Sequence, residues 1–280
     1  MPDLTDKSQL IQFLKMEGLW AKKGLGQNFL IDREALEKIV EASELKEKEL
    51  VIEIGPGPGV LTDELVKKTD QVVAVEMDDR LAELLQARME KAGQEVKVIH
   101  NDILKVNIDA IVEKKPYKVI ANIPYYITSK ILELFLAREH RPELIVLLVQ
   151  KEVAERICAK QGEMSVLAVS VQLFGQPELV GVVKPDSFFP APKVDSAILR
   201  VRSNQGGPKL KDKEEEKRFF RTVHIGFAAR RKTLANNLMV GFRLERNKVV
   251  DIIISMGFKE TVRAQELSVN DWVKLAERIK

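Results

Sequence analysis

Between Asp32 and Arg202, short runs of apolar and β-branched residues alternate with stretches whose apolar positions recur at helical spacing. Leu50–Ile54 and Leu144–Gln150 read as buried strands, and Gln71–Glu76, Val96–His100 and Tyr117–Asn122 as further strands. Between them the pattern predicts a helix capped by Asp32 and running to about Ala42. It predicts further helices over Val60–Thr69, from Asp78 or Asp79 to Gly93, over Ile131–Ala137 after Thr128 or Ser129, and over Lys151–Lys160. Near-continuous apolar strands separated by helices indicate a mostly parallel sheet covered on both faces. This is an α/β, doubly wound, Rossmann-like fold.

Past Arg202 the pattern changes. A polar turn cluster, Ser203 to Pro208, precedes a charge run from Lys209 to Lys217, and a linker is expected there. Beyond it, Phe219–Ala229, Thr233–Met239, Arg246–Met256 and Asp271–Ile279 all read as helices without strand alternation. The expected division is a domain over 1–205, including an N-terminal helical extension, and a small all-helical domain over 206–280.

Charge sharpens this division. The chain carries a net +3, yet residues 207–280 hold 17 Lys and Arg against 10 Asp and Glu, and residues 1–206 hold 28 against 32. A body of net −4 with a basic end of +7 suits a polyanionic partner at that end. Forty-five percent hydrophobic and 31% charged residues exclude wholesale disorder. The longest purely apolar run, Leu144–Val149, is too short to cross a bilayer, and the first residues lack the shape of a secretory signal. A single cysteine, Cys158, excludes an internal disulfide and a multi-thiolate zinc site. It lies on a helical pattern and reads as core. His100, His140 and His224 are widely separated and read as structural. The expectation is a cytoplasmic, metal-free chain.

The first chemistry appears at Glu53-Ile54-Gly55-Pro56-Gly57-Pro58-Gly59, between a strand and a helix. That is where doubly wound sheets bind nucleotide-like ligands. The spacing is GxGxG, not GxGxxG, and Pro56 and Pro58 remove two backbone N–H donors. A pyrophosphate cradle needs such donors, so the loop suits a nucleoside ligand without phosphates, such as S-adenosylmethionine. A nicotinamide-dependent oxidoreductase is disfavoured for the same reasons. Glu76 ends the next strand, 21 residues after Gly55, where a carboxylate can accept both ribose hydroxyls. Asp102 follows the third strand; it can accept from an exocyclic adenine amine, or equally cap a following turn.

On the same edge, Asn122-Ile123-Pro124-Tyr125 ends the fourth strand. An aromatic amine is a poor methyl acceptor because its lone pair is delocalised into the ring. Two acceptors aimed at its N–H hydrogens draw the nitrogen towards tetrahedral geometry. The Asn122 side-chain oxygen and the Ile123 carbonyl can serve, since Pro124 keeps the preceding residue extended. Tyr125 can stack on the ring.

The segments Gly26-Gln27-Asn28-Phe29-Leu30, Glu53 to Gly59, Glu76, Asp102 and Asn122 to Tyr125 resemble the ribosomal RNA adenine N6-dimethyltransferase family. So do Phe188 to Ser196 and Arg230-Arg231-Lys232-Thr233-Leu234, and the resemblance runs from about residue 8 to about residue 240. Within the family, Val194-Asp195-Ser196 and the segment Phe227 to Leu238 favour the bacterial small-subunit (16S) branch over large-subunit enzymes that share the Asn-Ile-Pro-Tyr motif. The resemblance implies transfer of methyl groups from S-adenosylmethionine to N6 of two adjacent adenines of small-subunit ribosomal RNA. The substrate would be a late assembly intermediate, the protein a monomer off the ribosome, and no membrane would be involved. The resemblance further implies that Gln27, Asn28 and Leu30 line the methionine end of the cofactor, and that Gly55, Gly57, Gly59, Glu76, Asp102 and Asn122 belong to the same cofactor site. Phe188 would face the target base opposite Tyr125, and Arg230, Arg231 and Lys232 would face RNA. The short loop Lys160 to Met164 departs from the family pattern and puts any substrate contact there in doubt. The alternative is a non-catalytic RNA-binding assembly or transcription factor, against which the intact motifs argue.

Overall fold

Leu50, Val51, Ile52, Glu53 and Ile54 are all buried, as expected of a central parallel strand whose two faces are both covered. In the computed structural model, which describes residues 2–22, 24, 26–204 and 210–279, the apolar runs become strands. In chain order these are β1 (Phe29–Leu30), β2 (Leu50–Ile54), β3 (Val72–Glu76), β4 (Val96–His100), β5 (Tyr117–Asn122), β6 (Leu144–Gln150), β7 (Gly175–Val183), β8 (Phe188–Phe189) and β9 (Ser196–Ser203). Seven of them form one sheet in the order β4-β3-β2-β5-β6-β9-β7. The run β4 to β6 is parallel, and β9 joins β6 antiparallel with Gln150 opposite Ser196. The order reverses between β2 and β5, which opens a crevice at their carboxyl ends.

The intervening segments are α1 (Lys7–Met16), α2 (Arg33–Ala42), α3 (Thr62–Leu65), α4 (Asp79–Lys91), α5 (Ile108–Val112), α6 (Thr128–Leu136), α7 (Lys151–Ile157) and α8 (Val166–Phe174). Leu144, Val146 and Leu148 of β6 share a core with Leu10 and Leu14 of α1, Ile39 of α2 and Leu85 of α4. The alternate residues Ile145, Leu147 and Val149 point to the other face and are just as completely buried. A two-stranded ribbon pairs β1 with β8, Leu30 opposite Phe188. It is extended by the Ile31 N–H donating to the Ser187 carbonyl (2.8 Å). The Ser187 hydroxyl donates to Asp32 Oδ2 (2.6 Å), while Asp32 Oδ1 caps α2 by accepting from the Ala35 N–H.

Two helices are shorter than predicted. The one expected over Val60–Thr69 is reduced to α3. Gly59 enters through a turn closed on the Pro56 carbonyl, and the exit tightens through a Lys68 N–H to Leu65 carbonyl bond (2.9 Å). The one expected over Lys151–Lys160 stops at Ile157, because the Gln172 side-chain amide takes the carbonyls of Ile157 and Ala159, both at 2.9 Å. Cys158 therefore lies beyond the helix end and is half-buried rather than core.

The chain separates into two compact units, residues 1–154 with 177–203, and residues 155–176 with 204–280. The expected boundary at 205/206 falls outside the described residues. The second unit holds α8, α9 (Lys213–Gly226), α10 (Leu234–Phe242), α11 (Arg246–Ser255) and α12 (Val269–Arg278). The charge run expected as linker becomes in part the first turn of α9. Asp212 caps it by accepting from the Glu215 N–H (2.8 Å), and Glu214, Glu215 and Glu216 oppose the positive end of its dipole. Trp272 of α12 is fully buried and stacks on Phe227, and a Cβ on Gly226 would run into its ring. No helix among the described residues is long and apolar enough to cross a membrane.

Candidate active site

A cleft of about 1030 Å³, its open mouth included, lies at the carboxyl ends of β2 to β5. Its floor is the glycine loop. Gly55, Gly57 and Gly59 have φ of +64°, +58° and +93°, values that L side chains adopt at a cost. Gly57 also lies under Phe29 of β1, where a Cβ would come within 2.9 Å of the ring. Its N–H donates to Glu76 Oε2 (3.0 Å), and the Asp78 N–H donates to Glu76 Oε1 (2.9 Å). The loop and the end of β3 are thus locked together through one carboxylate. Burial is the largest influence on that carboxyl and raises it above the usual range, against the pull of those N–H groups.

Beneath the loop is a second buried acid. Glu53 Oε2 accepts from the Thr62 hydroxyl (2.7 Å), and burial pushes the carboxyl up to about 8. Arg88 of α4 is buried alongside, bonded to the Pro58 carbonyl and paired with Asp63. A carboxyl whose folded-state pKa lies above its unfolded-state value of 4.5 is a liability as pH rises. The unfolded chain releases the proton first, so stability present below pH ~4.5 is lost progressively up to about 8. Glu53→Gln keeps an acceptor for Thr62 and removes the titration. Its Tm is expected to fall less than the wild-type value across that window in thermal melts; parallel curves would refute this account.

At the other end, Asn122 closes β5. Its Nδ2 donates to the Asn28 carbonyl (2.9 Å). A carbonyl only accepts, so the amide nitrogen must face Asn28 and Oδ1 the opposite way. No donor among the described residues reaches the Ile123 carbonyl. Tyr125 is half-buried, with its hydroxyl 2.6 Å from Oγ of the fully buried Ser196 on β9. Burial raises the phenol above its ordinary value, so it stays protonated.

Of the residues singled out in the sequence, Gln27, Asn28, Leu30, Gly55, Gly57, Glu76, Asp102, Asn122 and Tyr125 line this one cleft. Gln27 Oε1 accepts from the Lys22 N–H (2.7 Å), and Asp102 Oδ1 caps the turn at Ile103 by accepting from the Leu104 N–H (3.0 Å). Gly59 is not on the wall. A Cβ there would come within 2.6 Å of Leu85, so this glycine serves the close approach of loop and α4. Phe188 is only 2% exposed and lies opposite Leu30, which lines the cleft. Arg230, Arg231 and Lys232 are exposed in the turn between α9 and α10 of the second unit. Sequence reasoning missed Met77 and Ile103, apolar neighbours of Glu76 and Asp102 on the cleft wall. Adjacency to the two acids was the available signal. It also missed the tie between Ser196 and Tyr125, 71 positions apart.

The lining restricts what the cleft holds. Glu76 and Asp102 contribute carboxylates and Glu53 a carboxyl that burial keeps largely protonated near neutral pH, and no Lys or Arg lines it among the described residues. Walls of that sign, on a loop with two prolines, disfavour a pyrophosphate and suit a nucleoside carrying positive charge. Apolar side chains at Met77 and Ile103 suit the faces of a purine. Among the described residues no cluster of His, Cys, Asp or Glu can hold a metal.

Comparison with known proteins bears on the same region. The sequence matches the family described as ribosomal RNA adenine dimethylase over residues 18–280. Ribosomal RNA small subunit methyltransferase A of Dehalococcoides mccartyi (strain 195) is 45% identical over 263 residues, 93% of this chain and 89% of that protein. The protein of the same name from Lachnoclostridium phytofermentans is 38% identical over all of this chain and 98% of its own length. Among solved structures, the 23S rRNA methyltransferase ErmE superposes with a TM-score of 0.72 at 29% identity, covering 90% of this chain and 99% of that one. A dimethyladenosine transferase from Plasmodium falciparum gives 0.74 at 27% identity, covering 88% and 95%.

Proposed function

Because the chain belongs to the ribosomal RNA adenine dimethylase family, we propose that it methylates N6 of two adjacent adenines in small-subunit (16S) ribosomal RNA, giving N6,N6-dimethyladenines. S-adenosylmethionine supplies an electrophilic methyl group. Glu76 accepts from the ribose hydroxyls, Asp102 from the adenine amine, and Met77 and Ile103 cover the purine faces. Gln27, Asn28 and Leu30 border the methionine end, and the backbone of Gly55 and Gly57 admits close approach.

The observation that carries this reading is the fixed amide of Asn122. With Nδ2 held by the Asn28 carbonyl, Oδ1 is committed as an acceptor. Together with the Ile123 carbonyl it accepts hydrogen bonds from the target amine, two in the first transfer and one in the second, so that the nitrogen lone pair can attack the methyl carbon as its bond to sulfur breaks and S-adenosylhomocysteine leaves. The target base leaves its stack to get there, and Tyr125 covers its face. The protonated product nitrogen loses its proton without a dedicated base, so the rate comes from alignment. The relatives at 38–45% identity carry small-subunit names, which favours that RNA over the large-subunit RNA named for the 29%-identical structure. Residues 206–280, with Arg230, Arg231 and Lys232, form the RNA-facing part in this reading. The enzyme works in the cytoplasm on an immature small subunit and is a monomer off it.

The test is incubation with methyl-labelled S-adenosylmethionine and small-subunit particles from a strain lacking the modification. Label in dimethyladenine at two adjacent positions supports the reading. Tight binding without label would favour the non-catalytic factor, and label only in large-subunit RNA the other branch.

Ser196 enters as a positioning residue, since its hydroxyl fixes the ring of Tyr125. Ser196→Ala and Tyr125→Phe are each expected to lower kcat/KM for the particle about fivefold, the worth of one net hydrogen bond. The double variant should lose no more than either alone, because both break the same bond. Additive losses, or an equal loss of cofactor affinity by calorimetry, would place the effect elsewhere.

A further inference from the structure

Tyr126 follows Tyr125 on the same turn of 3-10 helix and lines the same cleft, yet it is built differently. Tyr125 is tied by its hydroxyl to Ser196. The Tyr126 hydroxyl meets no partner among the described residues, and the residue is 65% exposed. A Cβ placed on Gly26 would lie 3.5 Å from Cε1 and 3.8 Å from Cδ1, so the glycine leaves that edge of the ring clear. The ring presents apolar surface to solvent. An exposed aromatic at the mouth of a cleft is a ready binding surface.

The proposed reaction leaves something there to bind. When the target adenine leaves its stack, the neighbouring base loses a stacking partner. Successive residues of a 3-10 helix project their side chains about 120° apart, so Tyr125 and Tyr126 face different directions from one turn, as a flipped base and the neighbour it leaves behind do.

We propose that Tyr126 is the stacking platform for the nucleobase adjacent to the target adenine, so that the cleft mouth holds two bases of one strand. This rests on the methyltransferase reading and extends it from one base to two. A stacking surface makes no demand on hydrogen-bonding edges. It accepts adenine before and after N6 methylation, as an enzyme that modifies two neighbouring adenines in turn requires.

The experiment compares wild type with Tyr126→Ala, Tyr126→Phe and Tyr126→Trp on immature small-subunit particles. Melting curves and cofactor calorimetry establish that each variant is folded. Tyr126→Ala is expected to raise KM for the particle roughly 5- to 150-fold with unchanged cofactor affinity, while the Phe and Trp variants stay near wild type. On particles with an abasic nucleotide beside the target, wild type should show the same loss and Tyr126→Ala no further one. An unchanged KM for Tyr126→Ala overturns the proposal, as does Tyr126→Phe failing equally or Tyr126→Ala keeping its full additional loss on the abasic particle. If wild type transfers no methyl to the particle, it is the function reading that falls. The platform is then judged by affinity for a short single-stranded RNA containing two adjacent adenines. Tyr126→Ala binding as well as wild type overturns it there.

Discussion

Asn122→Ala is expected to lower the single-turnover rate of methyl transfer roughly a thousandfold while weakening cofactor binding only slightly. The size follows from what the amide supplies. Removing one preorganised hydrogen-bonding group aimed at the reacting centre costs about 10²–10³ in rate in comparable sites. Here the target nitrogen is unusually dependent on it, because its lone pair is otherwise held in the ring. The amide owes its orientation to the Nδ2 bond to the Asn28 carbonyl (2.9 Å). Asn122→Asp separates orientation from acceptor character. It retains an acceptor but points carboxylate oxygen at a carbonyl, so it should recover only part of the lost rate. The measurement is rapid-quench transfer of labelled methyl to immature small-subunit particles, with calorimetry of the cofactor alongside. Near wild-type single-turnover rates in Asn122→Ala would remove the proposed chemistry, and a parallel collapse of cofactor affinity would reassign the residue to binding.

What made Asn122 findable was its place in a local pattern. Apart from Lys118 the run Tyr117–Asn122 is apolar up to its last residue, and the structure ends β5 at that residue. Strands buried on both faces are legible because sheet packing demands the same kind of side chain at every position. The ends of Leu50–Ile54 and Leu144–Gln150 were legible for the same reason, whereas the edge strand Val96–His100, with only Val96 buried, was legible from its apolar alternation. Helix ends were less so, because distant groups decide them. The Gln172 amide that terminates α7 is 15 residues from the Ile157 carbonyl it takes. The start of α9 did carry a local signal, Asp212 followed by three glutamates, which the charge run disguised as linker. In the cleft, Gly55, Gly57, Glu76, Asp102 and Asn122 could be read from spacing on the glycine loop and strand ends. The ribbon of β1 and β8 could not, since it pairs Leu30 with Phe188 across 158 positions. That pairing buries Phe188 beside Leu30 of the cleft wall. Ser196 behind Tyr125 was hidden for the same physical reason, as a contact made only once the sheet has closed.

Glu76→Ala is expected to raise the Kd for S-adenosylmethionine about a hundredfold or more. In the proposed complex its two oxygens accept from ribose hydroxyls, and each charge-assisted bond contributes about 1.5–3 kcal/mol. The same oxygens hold the Gly57 and Asp78 N–H groups at 3.0 and 2.9 Å. Truncation therefore also loosens the glycine loop on which the cofactor lies. Glu76→Gln should not restore binding, because one end of the amide then turns an N–H towards a backbone N–H. The raised carboxyl adds a pH dependence with a definite sign. Burial favours the neutral acid, which has lost part of its accepting capacity, so cofactor affinity should strengthen as pH rises through the Glu76 titration and then level off. Binding of cofactor must release a proton over that range. Calorimetry in buffers of different ionisation enthalpy measures both the affinity and the proton. Glu76→Ala should bind weakly, with neither the pH slope nor the proton. An unchanged proton release in that variant would show that another group titrates, and wild-type affinity would remove Glu76 from the cofactor site.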